Sequence, residues 1–141
     1  MQKASSDELY DHVFLIRTEV FVDEVAVDQE DEYDGFDHLA THYLAWYGDI
    51  PAGTARWRTL SGSGAIRLER FAVRKPYRGL GIGSALVEAI LADIPKSGQV
   101  FVHAQIHNLA FYQRFGFVEE GDEFEEAGLV HKKMVYRGAG A

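Results

Sequence analysis

The sequence predicts one α/β domain of the α+β kind, a central mixed sheet flanked by helices, and three observations predict it. The chain has 141 residues, close to the usual size of one domain, and 47% of them are apolar, enough for one core. Helical and alternating periodicities follow one another as helix, strands, helix, strand, helix, strands. No internal repeat or Pro/Ser-rich linker divides the chain, so one unit is expected over 1–136, with "RGAGA", 137–141, a frayed, disordered tail.

The elements read in order. "SDELYDHVFLIRTEVF" opens on a capping-type serine and carries Leu9, Val13, Leu15, Ile16 and Val20 at helical spacing. Residues 23–38 read as a loop with one short helical turn. "HLATHYLAWYG" and "AGTARWRTL" read as strands joined by the turn "GDIPAG", and "SGSG" is a second tight turn. "AIRLERFAV" is a third strand with a phase fault: Ile66 and Leu68 share one parity, Phe71 and Val73 the other. An extra residue near Glu69 or Arg70 returns both pairs to one face, as a β-bulge does; otherwise Phe71 and Val73 face a second apolar layer. "SALVEAILADI" is a helix ended by Pro95. "QVFVHAQ" is a strand whose near-continuous apolar run indicates burial on both faces. "NLAFYQRFG" is a short helix capped by Asn108 and closed by Gly116. "FVEEGDEF" and "LVHKKMVY" complete the sheet.

Charge excludes some functions. The net charge is −8, and the stretch Asp23 to His38 carries the imbalance, with eight acids (Asp23, Glu24, Asp28, Glu30, Asp31, Glu32, Asp34, Asp37) and no Lys or Arg. Arg67, Arg70, Arg74, Lys75 and Arg78 form a basic counterpart interrupted only by Glu69. So acidic a chain argues against general nucleic-acid binding. No apolar run approaches the roughly 18 residues of a membrane span, and the start lacks a secretory signal's apolar stretch, so no membrane partner and a cytoplasmic location are expected. Zero cysteines exclude disulfides, thiolate metal sites and a cysteine nucleophile. His38 and His42 flank no carboxylate at ligand spacing, so no metal is expected.

The stretch "RKPYRGLGIGSALVEAI" carries the chemistry. Gly79, Gly81 and Gly83 sit between a strand and a helix, where glycine permits positive φ and close backbone approach. The helix start adds unpaired N–H groups and a positive dipole end, and Arg78 a charged donor. Together these suit a phosphate, the plain alternative being a ligand-free glycine turn. A P-loop needs lysine after its last glycine, and the dinucleotide pattern needs a glycine where Leu86 stands. What remains is R/Q-x-x-G-x-G/A over Arg78–Gly83, which resembles the acetyl-CoA pyrophosphate loop of the GNAT N-acetyltransferase family. "LERFAV" before it and "VHAQIHNLAFYQRFGF" after it are similar to that family's bulged strand, next strand and tyrosine-bearing helix. "RTEVFVDEV" and "HAQ…FY…FGF…FEEAGLVH" resemble its ElaA/YjcF-like subgroup, the likeness running from about Arg17 to Met134. Val25 departs from the subgroup's usual glutamine and Leu129–Val130 from its Ile-Pro; both bear on substrate detail rather than fold.

The resemblance implies a single GNAT-like domain with a mixed, mostly antiparallel sheet. Its two parallel strands, here Ile66–Val73 and Val100–Gln105, splay around the pantetheine arm. Backbone groups of Phe71, Ala72 and Val73 would pair with the pantetheine and the acetyl carbonyl. N–H groups of Arg78, Gly79, Leu80, Gly81, Ile82, Gly83 and Ser84 would hold the pyrophosphate, with Arg74, Lys75 or Arg78 at the ribose phosphate and Asn108 at the pantetheine. Tyr112 is implied as the acid that protonates the departing thiolate, the alternative being packing among Phe111, Phe115 and Phe117. Glu69 is the first candidate for the base, the alternative being an ion pair with Arg67 or Arg70. His103, Gln105, His131 and Glu24 are acceptor-site candidates, with Arg17, Glu19 and Glu24 as an ion-pair network shaping the pocket. The acidic segment either steers a cationic amine or is a solvated loop. The implied activity is N-acetyl transfer from acetyl-CoA, a co-substrate, to a primary amine of a small molecule or peptide, in a family where homodimers are common. The rival is an acyl-CoA-binding sensor or interaction module without turnover. A nucleotide- or RNA-binding role for the same loop is disfavoured by the charge and the failed patterns.

Overall fold

The structure, a computed structural model, describes residues 1–28, 32–96 and 98–138. Ser6 is extended, and its side-chain oxygen accepts the Leu9 N–H at 3.3 Å, which starts helix α1, Asp7–Arg17. Asp7 and Glu8 in the first turn complement the helix dipole. Sequence periodicity continued this helix to Phe21. Instead the ladder widens into a π-helix, Thr18–Glu24, with the Val25 N–H on the Val20 carbonyl at 3.0 Å. No side-chain pattern announces such a switch, because the same apolar residues serve either ladder.

Seven strands form one sheet in the order β1-β2-β3-β4-β5-β7-β6. They are β1 (Gln2–Lys3), β2 (Thr41–Tyr47), β3 (Ile50–Thr59), β4 (Ile66–Val73), β5 (Val100–Gln105), β6 (Phe117–Glu126) and β7 (Leu129–Tyr136). β4 and β5 are the parallel pair; every other pairing is antiparallel. The β2–β3 turn is only Gly48 and Asp49, so Pro51 lies within β3, beside a register slip opposite Ala45 and Trp46.

Among the described residues two further α-helices are α2 (Ile82–Asp93) and α3 (Leu109–Gln113). α2 begins two residues before Ser84, so Gly83 is helical rather than part of the loop. α1 and the π-helix cover one sheet face, with Val13, Ile16 and Val20 against Leu44 and Ala72. α2 and α3 cover the other, with Leu86, Val87, Ile90 and Tyr112 against Tyr43, Leu68, Val102 and Met134. Gly53 permits the α2 contact: a Cβ there would lie 2.9 Å from Ile82 Cγ2 and 3.2 Å from the Ala72 carbonyl oxygen. Asn108 precedes α3 but makes no capping hydrogen bond. Gly116, at φ +94°, closes that segment as expected, and the Arg137 N–H donates to its carbonyl at 2.8 Å. Residues 139–141 of the expected tail lie outside the described residues, as does Ser97. Among the described residues no helix is long and apolar enough to cross a membrane.

The phase fault in β4 is a bulge. Ala72 pairs with Thr54 and Glu69 with Arg56, so Arg70 and Phe71 oppose the single residue Ala55. Arg70 takes φ +58°. Ile66, Leu68, Phe71 and Val73 thereby all pack on the α2/α3 core. Parallel pairing joins Ile66, Arg67 and Leu68 to Val100, Phe101 and Val102, and stops there. Beyond it the two strands part, so His103 and Gln105 are only half-buried, where the apolar run of β5 suggested burial on both faces.

Candidate active site

The parting of β4 and β5 opens two chambers whose walls share Phe21, Phe71, Gln105, Asn108, Tyr112 and Leu129. On one side is a broad trough of about 860 Å³ against the glycine loop; on the other is a smaller chamber of about 190 Å³ between the ends of β4, β5 and the β6–β7 hairpin.

The trough gathers most of the residues implied for the pyrophosphate and pantetheine. Ala72 and Val73 line one flank; Arg78, Gly79, Gly81, Ile82, Gly83 and Ser84 line the other. Gly79 and Gly81 take φ +78° and +82°, which a side chain would resist. No side chain caps α2, and its first helical bond is from the Ala85 N–H to the Gly81 carbonyl. The N–H groups of Ile82, Gly83 and Ser84 therefore have no partner in the helix, an arrangement that accepts an anion. Leu80 points away and is 54% exposed. Arg74 stands outside the lining, on Glu19 at 3.0 Å and the Pro51 carbonyl at 3.0 Å. Arg78 is held bidentately by Glu24 at 2.6 and 2.8 Å, and its Nε–H reaches the Val73 carbonyl at 2.8 Å. The hydrogen bond from Arg78 keeps the Glu24 carboxyl below the usual carboxylate range. Glu24 thus stands on the trough side, apart from the smaller chamber. Arg17, Glu19 and Glu24 form no network with one another among the described residues; each pairs elsewhere, with Glu32, Arg74 and Arg78.

Tyr112 sits between the chambers. It is 8% exposed, with its ring against Phe71, Phe111 and Phe117 at 5.9, 5.1 and 5.9 Å. Its hydroxyl has no hydrogen-bond partner among the described residues and is not among the sealed polar atoms, so it opens on the cavity. Burial pushes the phenol up, so it stays protonated at neutral pH. Packing and chemistry are therefore compatible here: the ring is core, the oxygen is free.

The smaller chamber is lined by ion pairs. Glu69, 6% exposed, receives Arg56 Nε–H at 2.8 Å and Arg58 Nε–H at 2.7 Å, with Arg67 Nε at 3.1 Å. Arg56, fully buried, also meets Asp34 and Asp37 at 2.6 Å each. Arg17 meets Glu32 at 2.6 Å and Asp37 at 2.5 Å, and Arg70 meets Asp34 at 3.1 Å. Burial pushes Asp34 and Asp37 up, but the hydrogen bonds and charge of Arg56 and Arg17 outweigh it and leave both carboxyls below their ordinary range. Three carboxylates of the acidic segment thus turn inward to neutralise arginines; they neither float in solvent nor stand free to steer an amine.

His103 and His131 both line this chamber, on either side of the Phe124 ring. His103 Nδ1 lies 2.6 Å from Glu126 Oε2, and Arg67 Nη2 donates to the other oxygen of Glu126 at 2.5 Å. His131 Nδ1 lies 2.8 Å from the Leu129 carbonyl oxygen. Gln105 makes no side-chain hydrogen bond among the described residues. Glu126, Phe21 and Arg56 escaped sequence reasoning, whereas Arg67 was expected as an ion-pair partner of Glu69 and is one. Glu126 and His103 are 23 residues apart and meet only through the order β5-β7-β6, which no local pattern encodes.

The comparisons with known proteins agree. Residues 3–137 match the family model described as an acetyltransferase (GNAT) domain. YjcF of Bacillus subtilis (strain 168), described as an uncharacterized N-acetyltransferase, is 35% identical over 136 residues, covering 94% of this chain and 95% of its own. The crystal structure of Escherichia coli ElaA superposes with a TM-score of 0.86 at 27% identity, over 96% of this chain and 97% of its own. That of an acyl-CoA N-acyltransferase from Pseudomonas aeruginosa gives 0.84 at 25% identity, over 96% and 97%. With the bulged, splayed parallel pair and the glycine loop already in place, this chain belongs to the GNAT acetyltransferase family, in its ElaA/YjcF-like subgroup.

Proposed function

We propose that the protein transfers the acetyl group of acetyl-CoA directly to a primary amine of a small molecule or peptide. The observation that carries this reading is Tyr112, a protonated, unpartnered phenol set between a trough built for an anion and a second, smaller chamber. The described residues fit the co-substrate. The uncapped N–H groups of Ile82, Gly83 and Ser84 would hold the pyrophosphate. The β4 edge facing β5 beyond Leu68 has no strand partner and is free to pair with an extended amide chain. Asn108, which caps nothing, is free to contact the same chain. Bound there, acetyl-CoA supplies an activated thioester and a sulfur leaving group. Tyr112 donates its proton to that sulfur as the C–S bond breaks. The smaller chamber, with Gln105, His103 and His131 in its wall, receives the amine.

Glu69 suits a different role from the base expected of it. Its Oε2 takes Arg56 and Arg58, and its Oε1 is buried beside Arg67 with no hydrogen-bond partner among the described residues, so neither oxygen is presented to an ammonium. It serves as the anchor of the chamber floor. The test is calorimetry with CoA and with ATP, then thiol release from acetyl-CoA with ethanolamine, spermidine, lysine and a lysine peptide. CoA should bind, ATP should compete poorly, and at least one amine should raise thiol release above blank. CoA binding with no release from any amine would favour the non-catalytic acyl-CoA sensor.

A further inference from the structure

We propose that His103 is the base that takes the proton from the acceptor amine, and that Glu126 is the positioning residue that orients it. The inference rests on the acetyl-transfer reading. His103 is the first residue of β5 beyond the last parallel pair, so the parting of the strands itself turns its ring toward the smaller chamber. A carboxylate 2.6 Å from Nδ1 accepts the Nδ1–H, which leaves the lone pair of the neutral ring on Nε2. Glu126 cannot swing away, because Arg67 holds its other oxygen at 2.5 Å. Phe124, edge-on at 4.8 Å, and Phe101 at 5.4 Å confine the plane of the ring. Burial pushes the Glu126 carboxyl up, but hydrogen bonds from His103 and Arg67 outweigh it and hold it down to about 2. The partner of His103 is therefore an anion throughout the neutral range.

The other charged groups around the ring are accounted for. Arg67 and Glu69 on β4 are engaged with Glu126 and with the arginine cluster. Lys133, opposite His103 in register on β7, lies over the Phe101 ring at 4.8 Å and 3.6 Å from Glu120. His131 is the rival base, but its Nδ1 meets a neutral carbonyl, which stabilises an imidazolium less than a carboxylate does. The protons balance as follows. An acceptor ammonium loses two. His103 Nε2 takes the first and passes it to water, freeing the nitrogen lone pair. As the C–N bond forms and the C–S bond breaks, Tyr112 gives its phenolic proton to the departing sulfur. The second nitrogen proton, taken by His103, restores the phenol.

The experiment uses the whole chain with acetyl-CoA and the best alkylamine of the panel above, beside hydroxylamine, which is already neutral at pH 7. His103→Gln should bind CoA like the wild type in calorimetry. It should lose about 10²-fold in kcat/KM with the alkylamine and under about tenfold with hydroxylamine. In Glu126→Gln kcat should fall more than KM rises, because the ring is no longer held in the productive tautomer. Nitrogen-15 NMR of the wild type should show the Nδ1–H tautomer at His103, and the Glu126→Gln spectrum a mixture. If His103→Gln fails to fold, His103→Asn and the wild-type tautomer carry the test. Alkylamine turnover retained without His103, or an unprotonated Nδ1 in the wild type, overturns the base role alone. A wild type that binds CoA and releases no thiol with any amine overturns the transfer reading, and the base role with it.

Discussion

Glu69→Gln separates an anchor from a base. The substitution keeps the shape of the side chain and removes its charge where three guanidinium groups converge within 3.1 Å. Removing one partner of a buried ion pair outright costs about 3–5 kcal/mol. Here the surviving cations keep other partners: Arg56 retains Asp34 and Asp37 at 2.6 Å, Arg67 retains Glu126, and Arg58 retains the Phe36 ring at 4.1 Å. The expected loss is therefore nearer ~2 kcal/mol. For a chain of this size that lowers Tm by roughly 6 °C. Arg56→Met should cost about 3–4 kcal/mol, because it takes a fully buried cation from Asp34, Asp37 and Glu69 at once, although each keeps another arginine. Thermal unfolding by circular dichroism measures both. The pH profile of thiol release should keep its shape in Glu69→Gln once the assay temperature is well below the lowered Tm. An unchanged Tm with abolished turnover would refute the anchor role and return Glu69 to the position of base.

Three further outcomes follow from the same geometry. Tyr112→Phe keeps the contacts with Phe71, Phe111 and Phe117, so it should bind CoA and unfold like the wild type, yet lose about 10²-fold or more in kcat; full activity would remove Tyr112 as the acid. Gly53→Ala should destabilise by about 1–3 kcal/mol, through the clash with Ile82 and the Ala72 carbonyl. Gly83→Ala, with its nearest neighbour at 3.5 Å, should be close to neutral in urea unfolding, and equal effects would refute the packing account. Stability should fall with acid in two stages. Burial holds His42 below its ordinary 6.5, so the folded state resists its protonation and loses stability below that pH. Glu126, lowered from 4.5 to about 2, together with Asp34 and Asp37, adds a loss as pH falls through that window. Urea midpoints for Glu126→Gln should flatten over that lower window, and a curve parallel to the wild type would contradict the assignment.

Much of the fold was legible because its signals are local. The alternation of β4 breaks between Leu68 and Phe71, and that break alone located the bulge. Gly79 and Gly81 announced positive φ, and Ser6 announced a cap. The misses have a common cause. The switch from α to π ladder at Thr18, the bond from His103 to Glu126 and the closeness demanded at Gly53 depend on neighbours distant in sequence. Asn108 was read both as the cap of its helix and as a pantetheine contact; it makes no capping hydrogen bond and lines both chambers. The acidic segment misled for the same reason. Composition shows eight carboxylates without a local cation, while Arg17 and Arg56 come from elements that only the tertiary fold brings near.

That segment bears on how the cleft stays open. A non-glycine residue at φ +58° costs roughly 1–2 kcal/mol, and a parallel pair with free edges gains by zipping further. Ion pairs hold Arg70 in that conformation, at the point where β4 leaves β5. Arg70 is drawn toward the acidic segment by Asp34 and by the Glu32 carbonyl at 3.3 Å. Arg56, opposite Glu69 in register, is drawn to Asp34 and Asp37. The bulge is thus tied on both strands to one loop, and that loop is tied through Glu32 and Asp37 to Arg17 at the end of α1. Carboxylates that look like a solubilising tract in the sequence are, once folded, tied to the bulge that begins where the two parallel strands part. His103 on β5 and Tyr112 on α3 can then face one cavity.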